Sequence, residues 1–171
     1  MVEKGLKDFY SYTDDELRNT LPKDTYCLKI REAEVSEWED GRPRLDIQTE
    51  VVGGAQAGKF GPRHQWSLGD SDGVTADGRE FHVNGEDEAK KLIRNVRAIR
   101  DGAEVVLSEP GAYNDTMLKE IARQIRGDQF IATVSDDKNG YSKIRRIFAM
   151  SEPPKNFKTE EVSKAFSLDN V

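Results

Sequence analysis

The chain has one cysteine, Cys27, two histidines, His64 and His82, and no long apolar run. A lone cysteine excludes an intrachain disulfide. The lack of an apolar stretch of about 18 residues argues against a membrane span or a secretory signal core. Neither histidine lies near Cys27 or near the other at metal-ligand spacing, so structural zinc is not expected. A phosphate-binding Gly-rich loop, a nucleophile elbow and a Cys-His constellation are all missing, which leaves catalysis without a nucleophile or base. Asp70, Asp72, Asp77, Glu86 and Asp87 crowd one region, but it is Gly-rich, and loose acids make a poor metal cage. The expectation is a non-enzyme without cofactor or metal, in a reducing cytoplasm.

Positive charge is the scarcer sign: 26 Lys and Arg stand against 32 Asp and Glu, a formal net charge of −6. That balance argues against a globally basic nucleic-acid binder, because phosphate contacts need cations to release condensed counterions. The cations that exist are clustered. Lys138, Lys143, Arg145 and Arg146 follow the last acid of their stretch, Asp137, and Lys90, Lys91, Arg94, Arg97 and Arg100 fill another segment. With 171 residues, of which 34% are charged, the chain is sized for one domain with short appendages.

Periodicity divides it into an N-terminal arm (1–20), a central domain (21–152) and a C-terminal tail (153–171). In the arm, Thr13 and Glu16 have capping-box spacing for a short helix. Tyr26, Leu28 and Ile30, then Ala33 and Val35, alternate with a phase slip at Arg31-Glu32, which predicts a bulged, curved strand. Leu45, Ile47, Thr49 and Val51 mark a second strand, and Phe60, His64, Trp66 and Leu68 a third, with Trp66 in the core. Residues 69–85 read as a long loop with room for a small hairpin near 79–83. Ala89, Leu92, Ile93, Val96 and Ile99 recur at helical spacing, as do Leu118, Ile121, Ala122 and Ile125, the second helix starting at Asp115 and ending at Arg126-Gly127. Phe130, Ala132 and Val134 form a fourth strand, and Asn139-Gly140 turns the chain into a fifth. There, alternation places Ile144 with Ser142 and Arg146, and Tyr141 with Lys143 and Arg145 on the other face.

Three strands, a helical insertion and two strands is the order of a five-stranded OB-fold Greek-key barrel, mainly β, with helices between strands 3 and 4. Several segments carry a more specific likeness: Leu21-Pro-Lys-Asp-Thr-Tyr before the first strand, Gly41-Arg-Pro-Arg-Leu leading to Glu50-Val-Val-Gly-Gly, Ala57-Gly-Lys before the third, then Gly127-Asp-Gln-Phe-Ile-Ala-Thr-Val and Gly140-Tyr-Ser-Lys-Ile-Arg-Arg-Ile. Over about residues 21–150 the chain resembles phage-encoded single-stranded-DNA-binding proteins. The resemblance implies coating of single strands in replication, recombination or repair, in the cytoplasm of an infected bacterium. It also implies contacts of the tail with replication or recombination proteins, although this tail lacks the strongly acidic tip and terminal Phe of bacterial relatives. Oligomers are compatible with it.

The candidate DNA-binding residues are Trp38 at the first hairpin tip, with Arg42 beside it; Arg44 and Gln48 on strand 2 and Arg63 and Gln65 on strand 3, as a polar cationic strip; and Lys138, Tyr141, Lys143 and Arg145 on the last hairpin. Rings stack on bases and cations neutralise phosphates. For Trp38 the alternative is a ring folded back over the barrel rim, and for the strip an ordinary solvated face. The functional alternative is a protein-interaction module that docks a partner through the aromatic arm, Phe9 to Tyr12, or the Phe157 to Phe166 tail.

Overall fold

The computed structural model describes residues 8–11, 21–155 and 157. Among these residues a nearly closed five-stranded antiparallel barrel is joined by two helices. In chain order the elements are β1 (Asp24–Glu37), β2 (Pro43–Val51), β3 (His64–Ser67), β4 (Ser71–Val74), β5 (Glu80–Val83), α1 (Gly85–Arg100), α2 (Asp115–Ile125), β6 (Gln129–Asp136) and β7 (Ser142–Phe148). The main sheet runs β3-β2-β1-β6-β7, and β4 pairs only with β5. Among the described residues no ladder joins β3 to β7, so the barrel has one open seam.

β1 shows why the sheet curves. Its first part pairs with β6, from Asp24↔Val134 to Lys29↔Gln129, and its remainder with β2, from Leu28↔Val51 to Glu37↔Pro43. The register breaks between Ile30 and Glu32, leaving Arg31 as the extra residue of a bulge. A bulge bends the strand and restores the inward phase, so Leu28 and Ile30 before it and Ala33 after it are all buried. The phase slip in the sequence is this bulge.

The third strand is shorter than its alternation suggests. Trp66 is buried opposite Leu45, as expected. Phe60, however, makes only an isolated bridge to Glu50 and is 55% exposed. Between them, Gly61 and Pro62 break the ladder: Pro62 has no N–H to donate, and Gly61 passes close over β2. The Thr49 hydroxyl, the only buried polar side chain among the described residues, donates to the Pro62 carbonyl at 3.0 Å. The expected loop at 69–85 is largely the β4–β5 hairpin, where Phe81 lies across Gly73, its partner in register.

Both helices are amphipathic and capped by asparagine. Asn84 accepts from the Glu86 and Asp87 amides, and Asn114 from Met117 N, which satisfies donors that a helix start leaves unpaired. The cap of α2 is thus one residue ahead of Asp115. α1 buries Leu92, Val96 and Ile99, and α2 buries Met117, Leu118, Ile121, Ala122 and Ile125. Together with Trp66, Phe130 and the inward residues of β1 and β2 they form the main core. A smaller cluster, Cys27, Ile131, Met150 and Phe157, covers the outer face of β1 and β6. Phe157 therefore packs onto the barrel, beyond the expected domain boundary at 152. Thr13, Glu16 and Phe166 lie outside the described residues. No helix among the described residues is long and apolar enough to cross a membrane.

A Cβ placed on Gly61 would meet Thr49 Oγ1 at 2.2 Å. Gly61→Ala is expected to destabilise the fold by about 1–3 kcal/mol, the usual range for overpacking. The measurement is a lower urea midpoint at unchanged m-value; an unchanged midpoint would mean that β2 and the 60–63 crossover yield freely.

Candidate nucleic-acid interface

The β6–β7 hairpin turns as its Asn-Gly pair suggests, but by a different geometry. Gly140 N donates to Asp137 O at 3.0 Å and Asp137 N to Tyr141 O at 2.8 Å, with Gly140 at φ +83°. Asn139 does not enter the left-handed region. The loop is a type I turn closed by a left-handed glycine, the usual three-residue hairpin connection. The Asp137 carboxylate accepts from the amides of Tyr141 and Asn139. The first of these, aided by the second and by the nearby Lys143 and Arg145 charges, holds its carboxyl below the usual range. The β1–β2 hairpin uses the same turn, with Gly41 N on Trp38 O and Trp38 N on Arg42 O.

Along β7 the register shifts: Val134 pairs with Ile144, but Thr133 pairs with Arg146. Arg145 is the inserted residue. The expectation that Arg146 shares the inward face of Ile144 is therefore wrong, because a bulge exchanges the two faces beyond it. Ile144 is buried while Lys143, Arg145 and Arg146 are all exposed. The Arg145 guanidinium donates to Ser135 Oγ and Asp136 O, and that of Arg146 sits 4.9 Å from the Phe148 ring centroid. Tyr141 is 54% exposed, and Lys138 is exposed in the turn.

The open seam brings this strand against α1. Between them lies a groove of about 1020 Å³, reached by Lys91, Arg94 and Arg97 from the helix and Lys143, Arg145 and Arg146 from β7. Among the described residues only two acids line it, Asp101 and Glu152, and Asp101 is already engaged by the Ser151 amide and hydroxyl. His64, at the start of β3, also reaches the groove. Its imidazole pKa is pushed down to about 4, first by burial and then by the charges of Lys91 and Lys143. Its Nε2 is buried without a hydrogen-bond partner.

The expected strip on β2 and β3 also comes together, but in different company. Arg44, Gln48, Arg63 and Gln65 share one outer face with Glu32 and Glu34 of β1 and with Asp46. Arg44 is committed to Ser36 and Asp46, at 2.9 and 3.1 Å, and stacks 4.4 Å above Trp38. Arg42 pairs with Asp40 at 2.9 Å. Trp38 is folded back over the rim, its indole N–H donating to Ser67 Oγ at 2.7 Å. The strip is thus balanced by acids from the neighbouring strand. Nearby, the exposed Phe60 ring borders a hollow with Lys29, Arg31 and Gln48. Alternation assigned Phe60 to the core, and only the crossover at Gly61-Pro62 reveals it.

Lys91, Arg94 and Arg97, outside the candidate set drawn from the sequence, line this groove. Their spacing of three signals one helix face, but which element that face meets is tertiary information. Among the described residues, no group of three or more His, Cys, Asp or Glu is placed to hold a metal. A scan against protein-family models finds no match for the chain, and a search of curated proteins finds none similar to it.

His64 is expected to make stability pH-dependent. Its folded pKa, about 4, lies below the ordinary 6.5, so the unfolded chain binds the extra proton. Stability from this group is complete above pH 6.5 and is lost as pH falls toward 4, at about 1.4 kcal/mol per unit. Relative to His64→Gln, the wild type should lose on the order of 3 kcal/mol across that window. Urea midpoints of the two proteins at several pH values check this; a constant difference would show an ordinary imidazole.

Proposed function

We propose that this chain is a non-catalytic single-stranded-DNA-binding protein of low sequence preference, built on an OB-type Greek-key barrel. Its role is to coat single strands in phage DNA replication, recombination or repair. The observation that carries the reading is β7: three exposed cations, Lys143, Arg145 and Arg146, follow a half-exposed Tyr141 in a chain of net charge −6. Cations on one strand suit a phosphate backbone, and a ring at its start suits a base, with stacking worth about 1–3 kcal/mol. The sheet order β3-β2-β1-β6-β7, with both helices between β3 and β6 in the chain, supports the OB-type reading. Negative charge elsewhere repels duplex DNA, whose paired bases also hide the faces needed for stacking.

A second reading, a protein-interaction module, draws on Phe9 and Tyr10, which are 87% and 91% exposed. Phe157 no longer supports it, being buried against Cys27, Ile131 and Met150. Recovery of a specific partner after nuclease treatment, by a chain that ignores oligonucleotides, would favour this reading.

The test is a titration of a fluorescent single-stranded oligonucleotide and its duplex at several salt concentrations. Single-strand-selective binding that weakens with salt is expected. Changing Lys143 and Arg145 together to Ala should lower the salt slope by about two phosphate contacts. Absence of binding at low salt would overturn the proposal.

A further inference from the structure

Resting on the reading above, we infer that the single strand runs through the open seam between α1 and β7, with Lys91, Arg94 and Arg97 forming the second wall of its phosphate track, and not across the outer face of β2 and β3. The helix is thereby assigned a binding role that its sequence position does not announce.

Among the described residues six cations line the groove against two acids, in a chain where acids outnumber Lys and Arg, 32 to 26. Edge strands often carry charge to block pairing with other chains, and that would account for Lys143 and Arg145 alone. It leaves unexplained why α1 turns Lys91 and Arg94 toward the same space. Two facing rows of like charge destabilise the fold unless an anion lies between them. By contrast, Arg44 and Arg63 on the outer sheet face stand among Glu32, Glu34 and Asp46, so a phosphate there would meet more acids than bases.

Among the described residues β7 has no ladder partner on its seam side, and an unpaired strand edge offers backbone N–H and C=O groups to sugars, phosphates or base edges. Rings stand at both ends of the strand: Tyr141 before it, half-exposed, and Phe148 at its end, lining the groove beneath Arg146. Cations along the groove, with the Phe148 ring in its lining and the half-exposed Tyr141 just before the strand, match the combination that single-strand binders use without reading sequence.

Two measurements on the full chain test this together. The chain holds only two histidines, His64 in the groove and His82 on the separate β4–β5 hairpin. In NMR titrations with a short oligothymidylate, the His64 ring signals should shift while those of His82 stay in place. Lys91→Ala combined with Arg94→Ala should lower the salt slope by about two contacts, with rescue by the charge-keeping pair Lys91→Arg and Arg94→Lys. Arg63→Ala should leave the slope unchanged. Circular dichroism establishes that each variant is folded; both substituted α1 positions are exposed. If the wild type binds the oligonucleotide but His64 is silent, and only Arg63→Ala lowers the slope, the track lies on the outer face and this inference fails while the proposed function stands. If the wild type binds no single strand at all, the proposed function fails.

Discussion

β1 has to serve two partners with one strand, and the rest of the barrel depends on how it does so. Its first residues hydrogen-bond to β6 and its later ones to β2, with Leu28 and Lys29 pairing on both sides. A flat strand would carry its inward face out of phase as the sheet wrapped round. The extra residue at Arg31 absorbs that turn and keeps Ile30 and Ala33 on the same buried side. Because both flanks of β1 are occupied, the sheet ends on the far side of the barrel, at β3 and β7. The seam therefore lies between those two edge strands, and α1 packs beside both of them.

The seam is also where the electrostatics of the molecule invert. Elsewhere cations tend to be paired locally, as Arg42 is with Asp40, Arg44 with Asp46 and Arg79 with Asp77. At the seam the bulge in β7 turns Arg146 outward beside Arg145, and the neighbouring helix contributes its own cations. His64 lies beside two of these charges: burial first, and then Lys91 and Lys143, disfavour a positive imidazole there. In the proposed role, an entering phosphate backbone relieves that repulsion, which makes binding sensitive to salt and confines it to one groove.

Much of the fold was legible along the chain. The three-residue gap from Ile30 to Ala33 announced the bulge, the apolar spacing of 92, 96 and 99 placed one helix, and strict alternation around Trp66 placed it in the core. The same gap recurs between Ile144 and Ile147 and is the signature of the second bulge; reading the strand as unbroken alternation is what misplaced Arg146. Phe60 was misassigned for a different reason. Its exposure follows from Gly61 passing over Thr49 and from the missing N–H of Pro62, a constraint imposed by a neighbouring strand.

The candidate site divides along the same line. The sequence by itself determined the local items: a basic, aromatic last hairpin, a helix with Lys and Arg opposite its apolar stripe, and a chain otherwise acidic. Periodicity and turn chemistry act over a few residues, so they can be read without knowing the neighbours. Only the tertiary structure decided that Glu32 and Glu34 would sit beside the β2–β3 strip, that Trp38 would fold onto Ser67, and that the cations of α1 would face those of β7. Those outcomes depend on which elements the two bulges and the open seam bring side by side, and residues about fifty positions apart in the chain carry no local signal of meeting.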